Sequence, residues 1–241
     1  MTSSDSLERI NPDALELNEA TGDQSLQLHL ERYHYAGKHL IPGPVADVAC
    51  GVGYGSYLLA THYTQKTSIT AIDNDADAIA IAHEKYSHPS IRFLHTDAFT
   101  FSSPVMFSNI VSLETIEHLS DPAAFVQHLI TQLIPGGRFI ASVPVTPSMD
   151  ANPYHLQDFT IASFRKMMRN AGLKEVDHFI QVQPYNPFAI AGHKEVRSKD
   201  LRKNIAGYYL QHPGKFLSRI RSLLVDGFRN KYLVAVFEKS L

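Results

Sequence analysis

The chain has 241 residues, 44% hydrophobic and 19% charged, which is enough apolar content for one large domain or two small ones and excludes disorder as its dominant state. A net charge of −2, from 22 Lys and Arg against 24 Asp and Glu, excludes a general polyanion binder. Cys50 is the single cysteine, so an intramolecular disulfide and the paired thiolates of structural zinc sites are excluded as well.

In chain order, residues 1–23 read as a loose arm. Its polar start lacks the pattern of a secretory signal, and no apolar run in the chain reaches the roughly 20 residues that span a bilayer, so a cytoplasmic location is expected. Leu26, Leu30, Tyr33 and Gly37 recur at helical spacing and predict a helix packed over a domain formed by residues 24–241. Five short apolar runs follow, at 45–49, 68–72, 91–94, 109–113 and 139–143, composed as strands buried on both faces of a parallel sheet. Between them, 75–86 spaces Ala78, Ile79, Ala82 and Tyr86 as a helix. The stretch 122–134 does the same with Phe125, Val126, Leu129, Ile130, Leu133 and Ile134, opening on Asp121-Pro122 and stopping at Gly136-Gly137. This alternation predicts an α/β fold with a doubly wound sheet. Thr160 caps a further helix to Ala171, and 176–182 and 232–237 read as two late strands pairing antiparallel at the end of the sheet.

Charge is uneven. Between Pro184 and Lys231, ten cations (Lys194, Arg197, Lys199, Arg202, Lys203, Lys215, Arg219, Arg221, Arg229 and Lys231) face three acids (Glu195, Asp200 and Asp226), an excess of +7. Residues 184–230 are therefore expected to form a basic helical cap. Within it, Lys215, Arg219 and Arg221 interleave with Phe216, Ile220, Leu223 and Leu224, the pattern of a helix closing over the domain, with a membrane-surface or partner helix as the alternative. A cap facing the site would suit a phosphate-bearing small-molecule acceptor.

The run Asp47-Val48-Ala49-Cys50-Gly51-Val52-Gly53-Tyr54-Gly55 follows a predicted strand and opens a predicted helix, at the edge where open α/β sheets bind nucleosides. Glycines there admit positive φ and close approach of a ligand to the backbone. A dinucleotide fingerprint would place Gly or Ala three residues after Gly53, but Ser56 stands there. Asp47, moreover, would repel a pyrophosphate. Asp73, with Asn74 beside it, ends the second strand 22 residues after Gly51, where a carboxylate accepts from both ribose hydroxyls of NAD or S-adenosylmethionine alike. Asp97, followed by Ala98, ends the third strand, placed for an adenine amino group. Each acid alone could equally cap the helix after it. Three of them with a glycine turn, each at its own strand end, favour a nucleoside pocket.

This set resembles class I S-adenosylmethionine-dependent methyltransferases. Asp47 through Gly53 looks like their first motif, with Ala49 in place of its first glycine. Asp73 matches their ribose-binding acid and Asp97-Ala98 their adenine-binding pair. Glu114-Thr115-Ile116-Glu117-His118-Leu119 resembles the motif after strand four, and Ile134-Pro135-Gly136-Gly137-Arg138 the turn before strand five. The resemblance covers roughly residues 9–183 plus the final strand. It implies a Rossmann-like, mostly parallel sheet with an antiparallel final strand. It also implies S-adenosyl-L-methionine as donor, held by Asp47, Ala49, Gly51, Gly53, Tyr54, Asp73, Asn74, Asp97, Ala98 and Glu114. Glu31-Arg32-Tyr33, Gly53-Tyr54-Gly55-Ser56 and Asn152-Pro153-Tyr154-His155 also look like bacterial methyltransferases of glycan and secondary-metabolite assembly, implying an oxygen of a sugar or other small metabolite as acceptor.

Methyl transfer from a sulfonium requires alignment and removal of the acceptor's proton rather than a nucleophilic residue. Cys50 is accordingly read as a small buried filler. Glu114, Glu117 and His118 stand at i, i+3 and i+4, sharing one face if the stretch is helical, and His155 approaches from the neighbouring strand end. His118, His155 and Glu117 are the expected catalytic set, working without metal. The alternative makes Glu114, Glu117, His118 and His155 ligands of Mg²⁺ or Mn²⁺, as in the metal-dependent methyltransferases of ubiquinone biosynthesis and small-RNA 3′-end modification, which the Glu-x-x-Glu-His run resembles. A small-RNA 2′-O-methyltransferase is thus a competing reading, although the chain lacks an evident aromatic and basic single-strand platform. An NAD-dependent oxidoreductase is disfavoured by Ser56 and Asp47. A non-catalytic binding module is the remaining alternative.

Overall fold

The computed structural model describes residue 12 and residues 20–63, 68–185 and 202–240. Seven strands, β1 (Val45–Val48), β2 (Ile69–Asp73), β3 (Ile91–His95), β4 (Phe107–Leu113), β5 (Leu133–Pro144), β6 (Leu173–Pro184) and β7 (Arg229–Lys239), form one sheet. Their order is β3-β2-β1-β4-β5-β7-β6. The first five run parallel, and β7 pairs antiparallel with both β5 and β6. The chain order reverses between β1 and β4, so the loops leaving these neighbours diverge and open a crevice at their carboxyl ends.

Helices α1 (Ala20–Lys38), α2 (Tyr54–His62) and α3 (Ala76–Lys85) cover one face, and α4 (Pro122–Ile130) and α5 (Ile161–Asn170) the other. Strand alternation divides the core. Ile110, Phe139 and Phe237 pack with Phe125, Leu129, Phe164 and Met168, whereas their chain neighbours Val111, Ile140 and Val236 pack with Ala36, Leu59, Ile79 and Ala82. β1 and β4 are buried at every position, and the polar groups they carry, Asp47, Ser108, Asn109 and Ser112, are buried with them. Asp75, Asp121 and Thr160 start α3, α4 and α5 by accepting backbone N–H bonds of the first turn.

Three expected boundaries move. The helix expected to reach Ile134 ends at Ile130, because the Gln132 side chain bonds the Phe101 carbonyl and the Ser103 N–H and turns the chain, after which Leu133 pairs with Phe107. Gly136, at φ 73°, sits inside β5 rather than before it. The two late strands run to 12 and 11 residues, since their mutual ladder carries them past their apolar centres. α1 begins at Ala20, inside the segment expected as an arm, the rest of which lies outside the described residues apart from Pro12. Of the cap, α6 (Ile205–Gln211) and α7 (Pro213–Asp226) are described, while Lys194, Arg197 and Lys199 lie outside the described residues.

Candidate functional site

Between β1 and α2 the backbone takes three left-handed steps, at Ala49 (φ 63°), Gly51 (φ 56°) and Gly53 (φ 89°). The turn is tied to β2: Cys50 N–H donates to the Ile72 carbonyl, and Gly51 N–H to Asp73 Oδ2 at 2.8 Å. Asp73 Oδ1 accepts from Asp75 N–H at 3.0 Å, so one buried carboxylate fixes both the glycine turn and the start of the next helix. A Cβ on Gly53 would lie 2.7 Å from the Ala82 methyl and 2.8 Å from the Phe93 ring, which bars any larger residue.

The turn forms one wall of a cavity of about 350 Å³. Of the residues expected at the donor site, Ala49, Gly51, Tyr54, Asp73, Asn74, Asp97, Ala98 and Glu114 line it. Asp47 and Gly53 do not. Gly53 shapes the turn from behind. Asp47, 1% exposed, accepts from Ser56 Oγ at 2.5 Å and from the Tyr33 hydroxyl at 3.3 Å to each oxygen. The two oddities of the sequence thus explain each other: Ser56 replaces the glycine of a dinucleotide loop because it solvates Asp47 under the turn. Gly55 completes this arrangement, because a Cβ there would meet the Tyr33 ring at 2.0 Å. Burial pushes the Asp47 carboxyl up to about 7, against the opposing bonds from Ser56 and Tyr33 and with a smaller upward push from Asp73.

The opposite wall comes from the end of β4. Residues 116–118 form a single 3-10 turn and Glu114 has φ 52°, so the expected shared helical face of Glu114, Glu117 and His118 is not formed. Glu114 instead accepts from Ser142 Oγ at 2.7 Å and lies 3.5 Å from the Arg32 guanidinium, which is itself 4.4 Å above the Tyr232 ring. Glu114 therefore separates from the expected four-ligand metal set. Glu117, His118 and His155 do come together, each offering an atom within 4.8 Å of the others.

Glu117 is fully buried, and neither carboxylate oxygen has a hydrogen-bond partner among the described residues. Burial raises its pKa, and the nearby Glu114 carboxylate adds to the rise. His118 lines the cavity, with Nδ1 3.2 Å from the Tyr154 carbonyl and Nε2 4.0 Å from Glu117. His155 does not line it but packs edge-on against His118, ring centroids 4.6 Å apart, with Nδ1 2.7 Å from Ser148 Oγ. The loop after β5 reaches this cluster because Leu156 and Gln157 N–H both donate to the Glu117 carbonyl.

The cap docks on the same loop. Arg219 forms a two-pronged pair with Asp150, Lys215 meets Asp158 at 2.7 Å, and Arg202 donates to the Met149 carbonyl. Asp150 ionises below the usual carboxylate range: burial pushes its pKa up, but the bonds from Arg219 and Tyr209 more than reverse that. Three of the expected acceptor-facing cations therefore hold the cap to the domain. Sequence reasoning gave no role to Arg32, Ser142 or Tyr232. Each is chemically ordinary alone and gains its place only by pairing across the sheet.

Residues 45–137 match the methyltransferase-domain sequence family. A probable S-adenosylmethionine-dependent methyltransferase of Mycolicibacterium smegmatis is 29% identical over 140 residues, 55% of this chain and 52% of that protein, so the chain spans about half the length of the curated relatives it matches. Among solved structures, the [4+2]-cyclase SpnF superposes with a TM-score of 0.63 at 16% identity, covering 94% of this chain and 86% of that one. The N-methyltransferase NodS of Bradyrhizobium japonicum, solved with S-adenosyl-L-homocysteine, gives 0.57 at 16%, covering 95% and 93%. These likenesses are of fold, and they include a cyclase, so the reaction rests on the site.

Proposed function

Because the chain carries a class I S-adenosylmethionine-dependent methyltransferase domain, we propose that it methylates an oxygen of a sugar or other small metabolite, with His118 as the proton acceptor. The observation that carries this reading is the convergence on one cavity of the glycine turn, Asp73 and Asp97 from one side and His118 from the other. The lining suits the donor: Gly51 presents bare backbone, two carboxylates stand at successive strand ends, and a volume of about 350 Å³ falls within the range of small-molecule sites.

When bound, the donor supplies a methyl group on a sulfonium, open to in-line attack. The chain's residues bind, orient and move the proton. Asp73 would accept from the donor's ribose hydroxyls, and Asp97 would meet its adenine edge. With His118 Nδ1 donating to the Tyr154 carbonyl, Nε2, 4.0 Å from the Glu117 carboxyl, is the nitrogen that takes the acceptor's hydroxyl proton. His155, held by Ser148, sets the plane of the His118 ring.

One observation favours a second reading. The paired lack of partners at both Glu117 oxygens, with two imidazoles close by, fits three protein ligands for Mg²⁺ or Mn²⁺ that would orient acceptor oxygens. Calorimetric titration followed by turnover on a panel of hydroxylated acceptors tests the proposal. S-adenosylhomocysteine should bind, NAD should not, and methyl transfer should survive EDTA but fall in His118→Ala. Tighter binding of NAD overturns the donor, and loss with EDTA restored by Mg²⁺ or Mn²⁺ overturns the metal-free base. Donor binding without turnover on any acceptor would make the chain a binding module.

A further inference from the structure

The α7 helix is mounted inside out. Lys215, Arg219, Ser222 and Asp226 form its half-buried polar face: Arg219 and Lys215 hold Asp150 and Asp158, Arg219 also donates to the Pro147 carbonyl, and Ser222 donates to Asp226, which takes Lys231. Its apolar side chains other than the half-buried Leu223 face away. Leu217 is 67% exposed, Leu224 83% and Val225 73%, and Phe216 and Ile220 are exposed on the same helix. A surface helix ordinarily buries its apolar stripe against the core, and scattered exposed residues would not fall on one side of one helix. A contiguous stripe of this kind marks a surface that something covers.

Charge identifies the covering partner. Residues 202–231 hold seven Lys and Arg and a single acid, Asp226, whose carboxylate is taken by Lys231 and Ser222. Lys203, Arg221 and Arg229 are exposed, Arg221 on the helix itself and Arg229 three residues after its end. A second copy packed on this face about a two-fold axis would bring like charges together. An anionic lipid surface does the opposite: the apolar stripe enters the acyl boundary and the flanking cations meet the headgroups. We propose that α7 is an interfacial helix that seats the protein on an anionic membrane surface. At 14 residues it lies on a membrane rather than crossing it, and no described helix is long and apolar enough to cross. The ion pairs of its polar face hold the stripe outward before any lipid is met.

The test is co-sedimentation of the full chain with vesicles of phosphatidylcholine alone and of phosphatidylcholine mixed with phosphatidylserine. Binding is expected to the mixed vesicles only, and to weaken as salt is raised. Leu217→Ser with Leu224→Ser should lower partitioning at least about tenfold, and Arg221→Gln about fivefold. These side chains are exposed, so melting temperature and S-adenosylhomocysteine affinity should stay unchanged, separating lost attachment from lost fold. Failure to bind mixed vesicles overturns the proposal, as does binding indifferent to these substitutions. A concentration-dependent dimer in light scattering that the Leu substitutions abolish would assign the face to a second copy and overturn it equally.

Discussion

Asp47 is buried under the glycine turn, and its carboxyl accepts, among the described residues, from Ser56 and Tyr33. Burial raises its pKa from 3.8 to about 7. The folded-state value lies above the unfolded one, so the fold binds the proton more tightly. The resulting stabilisation is full below about pH 4 and is lost as the pH rises through about 7. At 1.36 kcal/mol per unit, the full effect is about 4 kcal/mol. Between pH 5 and pH 8 the linkage integral gives a loss of about 2.5 kcal/mol from this group. Asp47→Asn removes the titration while leaving an oxygen for Ser56 to donate to. Urea unfolding of both proteins across pH 4–8 should show the variant's stability losing about 2.5 kcal/mol less than the natural chain's between pH 5 and 8, whatever its absolute value. That difference corresponds to melting points separated by about 5–10 °C over the same range. Glu117 titrates in both proteins and drops out of the comparison. Superimposable pH profiles would refute the reasoning, because they would mean that Asp47 is no more desolvated than in the unfolded chain.

Other residues give sharper single tests. Asp73→Ala should weaken S-adenosylhomocysteine binding about 10- to 100-fold, since hydrogen bonds to a charged group contribute about 1.5–3 kcal/mol. Asp73→Asn retains an oxygen for the Gly51 N–H and should lose less, as read by calorimetry. Ala49→Gly relieves a left-handed backbone that costs an alanine about 1–2 kcal/mol, partly offset by about 0.4–1 kcal/mol of unfolded-chain entropy. A net gain of up to about 1.6 kcal/mol is expected in chemical denaturation. Arg219→Met leaves Asp150 buried without its partner and should undock α7, seen as faster proteolysis within 202–228, whereas Arg219→Met with Asp150→Asn should recover part of the protection.

The parallel half of the sheet was legible because its central strands are buried on both faces and therefore mostly apolar, and because glycine and strand-end acids are short-range signals. The late strands were less so. β6 lies at the sheet edge, and Val176, beside its bulge, is 46% exposed, so much of its length is fixed by pairing with β7 rather than by composition. The Glu114 to His118 stretch was misread for a related reason. Its charges do stand at helical spacing, but a left-handed residue and one 3-10 turn send Glu114 toward Arg32 and Glu117 toward the histidines. The cap's charge was counted correctly, yet its destination was not, because Asp150 and Asp158 lie about sixty residues away from the cations they bind.

Backbone strain points to the same crevice by a route independent of any motif. Ala49 and Glu114 are the two non-glycine residues at positive φ among the described residues, and both line the cavity. One follows β1 and the other β4, the neighbouring strands at which the chain order reverses. An unbranched left-handed residue costs about 1–2 kcal/mol, so two of them side by side persist only where something compensates. For Glu114 the compensation is visible: its N–H donates to Ser142 Oγ at 3.0 Å, and that hydroxyl donates to its own carboxylate. For Ala49 it lies in the ties that the next two N–H groups, of Cys50 and Gly51, make to β2. The effect of both steps is the same. An extended chain would continue the strand alternation, whereas a left-handed step just after the strand's last residue lifts the backbone over the sheet edge and turns the following groups into the crevice. The two strand ends spend conformational energy on one wall each of a single cavity, the arrangement expected where a ligand, rather than the core, sets the backbone's course.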